Sequence, residues 1–249
     1  MLLLASLSAA PVAASDCQSG LKVGWETWAP FHYQDEQGQM RGYAVEVLNE
    51  MARRSQCKLV YLQRPWVRTL TELASGDLDI AMEALKTPER EQYAYFSGPY
   101  SPTIIQLMYN TQRQKRWQVD ALKDLTQYPG LRIGVARGDS FGKEIDAWLA
   151  KKPPGILVDV APTMQANLQK LALNRVDLVF TSSLSAEAVL RDFKLKHIAP
   201  LPVSWAVEDA HFAYSKQGMD EATVTLLNMA LEAMRKDGTL KQLMQLYRH

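Results

Sequence analysis

"LASGDLDIAME" (Leu73 to Glu83) and "LALNRVDLVFT" (Leu171 to Thr181) state one pattern twice. Each closes a helical run, turns through small or polar residues, and enters a short apolar run behind an aspartate, Asp79 in the first copy and Asp177 in the second. A second echo stands upstream of each. "LKVGWETWAPF" (Leu21 to Phe31) and "LRIGVARGDSF" (Leu131 to Phe141) share apolar-basic-apolar-Gly in register and reach a Phe at the same distance. Two matches in the same order predict two similar lobes.

Between the echoes the periodicity alternates. "YAVEVLNEMARRS" (Tyr43 to Ser55) places Val45, Leu48 and Met51 on one helical face. "KLVYLQ" (Lys58 to Gln63) has the content of a strand, "WVRTLTELASG" is a helix stopped by Gly76, and "LDIAMEA" is a third strand. The second lobe repeats this with "LRIGVA", a helix over "SFGKEIDAWLAKK", the strand "ILVDVA", a helix over "TMQANLQKLALN" capped by Thr163, and the strand "VDLVF". Strands alternating with helices imply right-handed crossovers and a mostly parallel sheet in each lobe. In the tail, Val224, Leu227, Leu231 and Met234 form one stripe that Asp237-Gly238 ends, and Thr239 is expected to cap a last helix.

Nothing resembling a long linker separates the lobes, so two short crossings are expected, near "SPTIIQLMYN" and "WAVEDAHFAYS". The expected lobes are 16–101 with 206–249, and 102–205. Two lobes on a two-crossing hinge enclose a cleft, and ligands of open α/β sheets bind outside the carboxyl ends of the strands. Those ends carry "ETWAPF", "QRPW", "EALKTPER", "ARGDSF" and "TSS".

The 249 residues carry a net charge of +1, with 47 % hydrophobic and 22 % charged residues. That is ordinary for a globular protein and offers no basic footprint for nucleic acid. "MLLLASLSAAPVAAS" is too short to span a membrane, which takes ~20 apolar residues. It fits the end of a secretory signal, so residues 1–15 are expected to be a signal remnant and the protein periplasmic. Cys17 and Cys57 each stand just before an apolar run. If those runs are neighbouring parallel strands, a disulfide is easily formed, worth ~4 kcal/mol in the chain-entropy model. The alternative is two unrelated buried thiols. The four histidines (His32, His197, His211, His249) lack metal-ligand spacing, and no phosphate-binding glycine loop is present. No metal or cofactor is expected.

These residues resemble the family 3 extracellular solute-binding proteins, whose type II periplasmic binding protein fold closes two lobes on a small solute. The resemblance is carried by "FHYQDEQGQMRGYAVEVLNEMARR", "GDLDIAMEALKTPEREQYAYFSGPY" and "ALEAMRKDGTLKQLMQLY". The piece "RPWVR" suggests a subgroup with a Pro-Trp-x-Arg segment, of which some members need not serve a transporter. The resemblance implies capture of an amino acid or related carboxylate by a monomer that delivers it to an ABC-type permease. Position by position, it places Arg90 on the ligand's α-carboxylate, where a guanidinium fork matches two oxygens. Ser140 matches a hydroxyl helping to bind that carboxylate, or is a plain N-cap. Trp28 and Trp66 match apolar walls over the ligand side chain.

Departures from the pattern are as informative. The family's amine-binding acid falls at Ser182, Ala44 replaces another acid, and small hydroxyls near the third strand give way to Glu83 and Leu85. Glu83 is expected either to contact the ligand or to pair with Lys86 or Arg68. Arg68 is expected to face a second anionic group or solvent. Asp79 and Asp177, shared by both lobes, are expected to be structural. The rival readings are an enzyme resembling the dehydratases that aromatise cyclohexadienyl acids, with Glu83 as general acid, and a ligand sensor that transports nothing.

Overall fold

The computed structural model describes residues 15–113 and 117–247, so the expected signal segment, apart from Ser15, lies outside the described residues. Asp79 and Asp177 occupy equivalent places. The Asp79 carboxylate accepts the backbone N–H of Lys22 at 2.7 Å, and the Lys22 carbonyl accepts the N–H of Asp79 at 3.0 Å. Asp177 forms the same closed pair with Arg132, at 2.8 Å in both directions. Each clamp sits at the start of the Gly-bearing strand and of the Asp-led strand, which is why the sequence repeats there.

In chain order the elements are α1 (Ser15–Ser19), β1 (Leu21–Trp25), β2 (Tyr33–Gln34), β3 (Met40–Arg41), α2 (Tyr43–Ser55), β4 (Leu59–Gln63), α3 (Trp66–Ser75), β5 (Ile80–Ala84), β6 (Ala94–Phe96) and β7 (Ile104–Asn110). There follow β8 (Leu131–Ala136), α4 (Lys143–Ala150), β9 (Ile156–Ala161), α5 (Met164–Ala172), β10 (Leu178–Ser182) and α6 (Ser183–Asp192). The chain closes with β11 (Ile198–Ala206), β12 (His211–Ser215), α7 (Glu221–Lys236) and α8 (Thr239–Leu246).

Two five-stranded sheets result, ordered β4-β1-β5-β12-β6 and β11-β7-β10-β8-β9. Each holds three parallel strands, and their registers agree. Val23 and Gly24 face Ile80 and Ala81 in one sheet, and Ile133 and Gly134 face Leu178 and Val179 in the other. The echoed glycines have one cause. A Cβ on Gly24 would lie 2.7 Å from Thr69 of α3, and one on Gly134 2.8 Å from Asn167 of α5. Real Cβ atoms do not approach so closely, so a helix rests directly on each glycine.

The hinge strands β12 and β7 join these parallel triads in the antiparallel sense. Both crossings run side by side, with the Ala210 N–H donating to the Ser101 carbonyl at 2.8 Å and the Val207 N–H to Thr103 at 3.1 Å. Most of "SPTIIQLMYN", read as a crossing from sequence, is strand β7, and α6 and β11 went unread there.

The stripe of α7 behaves as its spacing predicts: Val224, Leu227, Leu231 and Met234 are buried against α2 and the first sheet. Each large apolar side chain so buried contributes roughly 1.5–3 kcal/mol. Thr163 caps α5, accepting the Ala166 N–H at 3.2 Å. Two helix starts differ from expectation. Gly238 is the N-cap of α8, with Thr239 its first helical residue, and α4 begins only at Lys143 behind Gly142. Cys17 and Cys57 form a disulfide, ruling out unrelated thiols. The Lys58 N–H donates to the Cys17 carbonyl at 2.9 Å beside it, tying α1 to the start of β4.

Candidate functional site

A cleft of about 680 Å³, counting its open mouth, lies between the lobes at the carboxyl ends of the strands. Trp28, Trp66, Glu83, Arg90, Ser140 and Ser182 all line it. Arg90 opens a 3₁₀ turn (Arg90–Gln92) and is only 6 % exposed. Its Nη1 donates to the Leu85 carbonyl at 2.8 Å and its Nη2 to the Gly138 carbonyl of the other lobe at 2.9 Å. Those bonds use two of the five guanidinium N–H groups. The cation lies 5.4 Å from the centre of the Trp66 ring, within cation–π range. Burial pulls its pKa down while neighbouring acids, Asp139 and Asp146 among them, pull it up.

The tryptophans bridge the lobes. Trp66 Nε1 donates to the Gly138 carbonyl at 3.0 Å, beside the Arg90 bond. Trp28 Nε1 donates to Ser185 Oγ at 2.7 Å, across the cleft from α6. Together with the Arg90 bond they make three hydrogen bonds across the cleft. Trp28 is wedged edge-on against Phe31 at 5.4 Å. The loop after β1 is anchored by the buried His32, whose Nδ1 bonds the Glu26 carbonyl at 2.7 Å. Burial lowers that imidazole to about 4, so it is neutral at physiological pH. Glu26 in turn accepts the Trp66 N–H at 3.1 Å, and burial raises its pKa.

Ser140 does not cap α4. Its hydroxyl donates to Asp146 Oδ2 at 2.5 Å, so its one proton is committed and only lone pairs remain for the cleft. The reason is local: Gly142, at φ 88°, turns the chain into the helix two residues later than the sequence suggested. Ser182 is the N-cap of α6, accepting the Ser185 N–H at 3.4 Å, with the two hydroxyls 2.7 Å apart. Arg68 is not brought to the cleft. It pairs with Glu72 at 2.5 Å on the exposed face of α3, because one turn separates them on that helix.

Glu83 pairs with neither of the cations weighed for it, since Lys86 bonds Glu91 at 2.9 Å. Its backbone N–H donates to the Tyr100 hydroxyl at 3.1 Å. Burial pushes its carboxyl up to about 7, against the lowering effect of the Tyr100 and Ser101 hydroxyls. Asp139, half-buried on the opposite wall, is also pushed up to about 7, with Arg90 pulling it down. Sequence reasoning did not single out Asp139, Ser185, Phe31 or Tyr100. Asp139 had a signal, an acid between Gly138 and Ser140 at a strand end; the others are brought in by contacts between distant segments.

The model of the bacterial extracellular solute-binding proteins, family 3, matches residues 21–249. The chain belongs to that family. Among its relatives is the "Probable histidine-binding protein" of Neisseria gonorrhoeae, 29 % identical over 214 residues, covering 85 % of this chain and 76 % of the relative. Another is the "Probable amino-acid ABC transporter-binding protein" of Haemophilus influenzae, 27 % identical over 228 residues, covering 90 % and 82 %. An ancestral arginine-binding protein solved with arginine superposes with a TM-score of 0.80 at 23 % identity, covering 94 % of this chain and all of that one. The chain thus has the two-lobed periplasmic binding protein fold and is a family 3 solute-binding protein.

Proposed function

We propose that this protein captures an amino acid or a closely related carboxylate in the interlobe cleft and delivers it, as an exported monomer, to an ABC-type importer. The observation that carries this reading is the buried Arg90, with three N–H groups left over beside a lobe-spanning cavity. A guanidinium held in place by two carbonyls presents a fixed fork, and a ligand carboxylate matches it with two charge-assisted bonds. Trp28 and Trp66 supply flat walls for the remainder of the solute. The relatives named for histidine and amino-acid binding support an amino-acid ligand and a transporter partner. Lobe closure is part of the reading, because each of three hydrogen bonds across the cleft has one partner in either lobe.

A thermal-shift screen of the twenty amino acids, polyamines and small carboxylates tests it. A ligand at one hundred times its Kd stabilises the folded form by ~2.7 kcal/mol, and at least one carboxylate is expected to do so. If none does, the reading falls. One observation favours a second reading: Glu83, with its carboxyl near 7, shares a cavity with Arg90, the arrangement of a general acid beside a carboxylate anchor. Turnover of prephenate or arogenate would establish a dehydratase instead.

A further inference from the structure

We propose that Glu83 is the receptor for a protonated amine of the ligand, so that the first lobe alone holds both the carboxylate, on Arg90, and the ammonium. This rests on the carboxylate-capture reading and adds the second half of the recognition.

The backbone is bent to place this side chain. In the pairing of β5 with β12, Ala84 faces His211 and Ala81 faces Ala213. Two residues of β5, Met82 and Glu83, therefore oppose the single Phe212 of β12. That count is a β-bulge, a device that re-aims a side chain beside a site. Glu83 adopts φ 54°, a left-handed conformation that a residue with a Cβ takes only when its surroundings impose it. The surroundings here are specific. The Tyr100 ring stacks on Phe212 at 4.1 Å, its hydroxyl receives the Glu83 N–H, and its carbonyl accepts the Tyr43 hydroxyl at 2.7 Å.

The carboxylate so placed is unfinished. Glu83 is 6 % exposed, lines the cleft, and its Oε1 is sealed from solvent with no hydrogen-bond partner. Buried carboxylate oxygens are paired in folded proteins unless something absent completes them. Among the described residues no cation pairs with Glu83: Lys86 bonds Glu91, Arg68 bonds Glu72, and the two Arg90 hydrogen bonds go to the Leu85 and Gly138 carbonyls. An ammonium offers three donors and a positive charge, which both satisfies Oε1 and holds the carboxyl in its ionised form, against the burial that pushes it to about 7.

The opposite wall does not offer the same service. At the start of α6 the hydroxyls of Ser182 and Ser185 lie 2.7 Å apart, and Ser185 Oγ also receives the Trp28 indole N–H. That corner is a closed set of neutral groups with no carboxylate. Asp139, the carboxylate on that wall, is raised by burial but lies in the field of Arg90, which pulls its pKa down. Glu83, two residues from the carbonyl that orients Arg90, instead has a buried oxygen with no partner.

Isothermal titration with matched pairs reads this directly: L-lysine against 6-aminohexanoate, L-histidine against 3-(imidazol-4-yl)propionate, and L-phenylalanine against 3-phenylpropionate. Each pair differs by the α-amino group alone. In the wild type the amino acid of any binding pair is expected to bind at least tenfold tighter than its partner. Glu83→Gln, checked for an intact melting transition, is expected to shrink that ratio below threefold. A wild-type ratio near one overturns the proposal while leaving carboxylate capture intact, and needs no variant. A tenfold ratio that survives in Glu83→Gln also overturns it. If neither these six compounds nor any carboxylate of the thermal-shift screen binds, the carboxylate reading fails and takes this one with it.

Discussion

Arg90→Ala separates recognition from architecture, because the two carbonyls that hold the guanidinium are distinct from the ligand carboxylate proposed for it. The side chain serves two carbonyls, those of Leu85 and Gly138. Truncation leaves Gly138 with its bond from Trp66 Nε1 at 3.0 Å and orphans only Leu85. An unsatisfied buried carbonyl costs ~1–3 kcal/mol. Removing a cation that burial already disfavours offsets part of this, so the folded state should lose about 2 kcal/mol at most. Binding should suffer more. Truncating one partner of a buried charge pair costs ~2–5 kcal/mol, or roughly thirtyfold to several-thousandfold in Kd. Arg90→Lys keeps the charge without the fork and should fall between. Trp28 and Trp66 line the cleft, so intrinsic fluorescence titration, backed by calorimetry, reports the Kd of whichever carboxylate the screen finds. A Kd for Arg90→Ala within threefold of wild type would refute the reasoning, whatever the melting temperature does.

The remaining predictions concern the frame and the buried acid. Asp79→Ala and Asp177→Ala each remove the acceptor of a part-buried backbone N–H and should each cost up to ~1–3 kcal/mol; chemical denaturation showing one harmless and the other severe would break the equivalence of the lobes. Reducing the Cys17–Cys57 bond should lower the melting temperature, with up to ~4 kcal/mol lost; no shift would show the bridge to be energetically idle. For Glu83, the folded pKa near 7 lies above the ordinary 4.5, so the folded state binds the extra proton between those values and loses stability as pH rises through them. Glu83→Gln stays neutral throughout. Its ligand-free stability relative to wild type should therefore rise by roughly 2–3 kcal/mol between pH 4.5 and pH 8, and parallel pH profiles of the two melting temperatures would contradict the buried-acid assignment.

The frame was legible wherever a local pattern repeats for a physical reason. Asp79 and Asp177 recur because each closes the same two-bond clamp, and Gly24 and Gly134 because each admits a helix to the sheet. The cysteines were legible because they precede adjacent parallel strands, Leu21 facing Leu59. Arg90, Trp28, Trp66 and Glu83, which line the cleft, were singled out through strand-end position and resemblance. Other features have no local signature. The β-bulge at Glu83 lies in a fully buried strand, where the alternation that would reveal an extra residue is absent. Trp28 meets Ser185 across 157 positions, a contact no window along the chain contains. Ser140 looked like a helix start because Ser commonly is one, while the turn was made by Gly142. Arg68 looked available to a ligand until Glu72, one helical turn on, took it.

The central claim is that a ligand carboxylate occupies the space between Arg90 and the two tryptophans. A crystal structure grown with the tightest binder from the screen tests it most directly. The account predicts both carboxylate oxygens at about 2.7–2.9 Å from the Arg90 guanidinium, with Trp28 and Trp66 flanking the solute. A solute bound elsewhere, or one in the cleft whose carboxylate leaves Arg90 untouched, would contradict it.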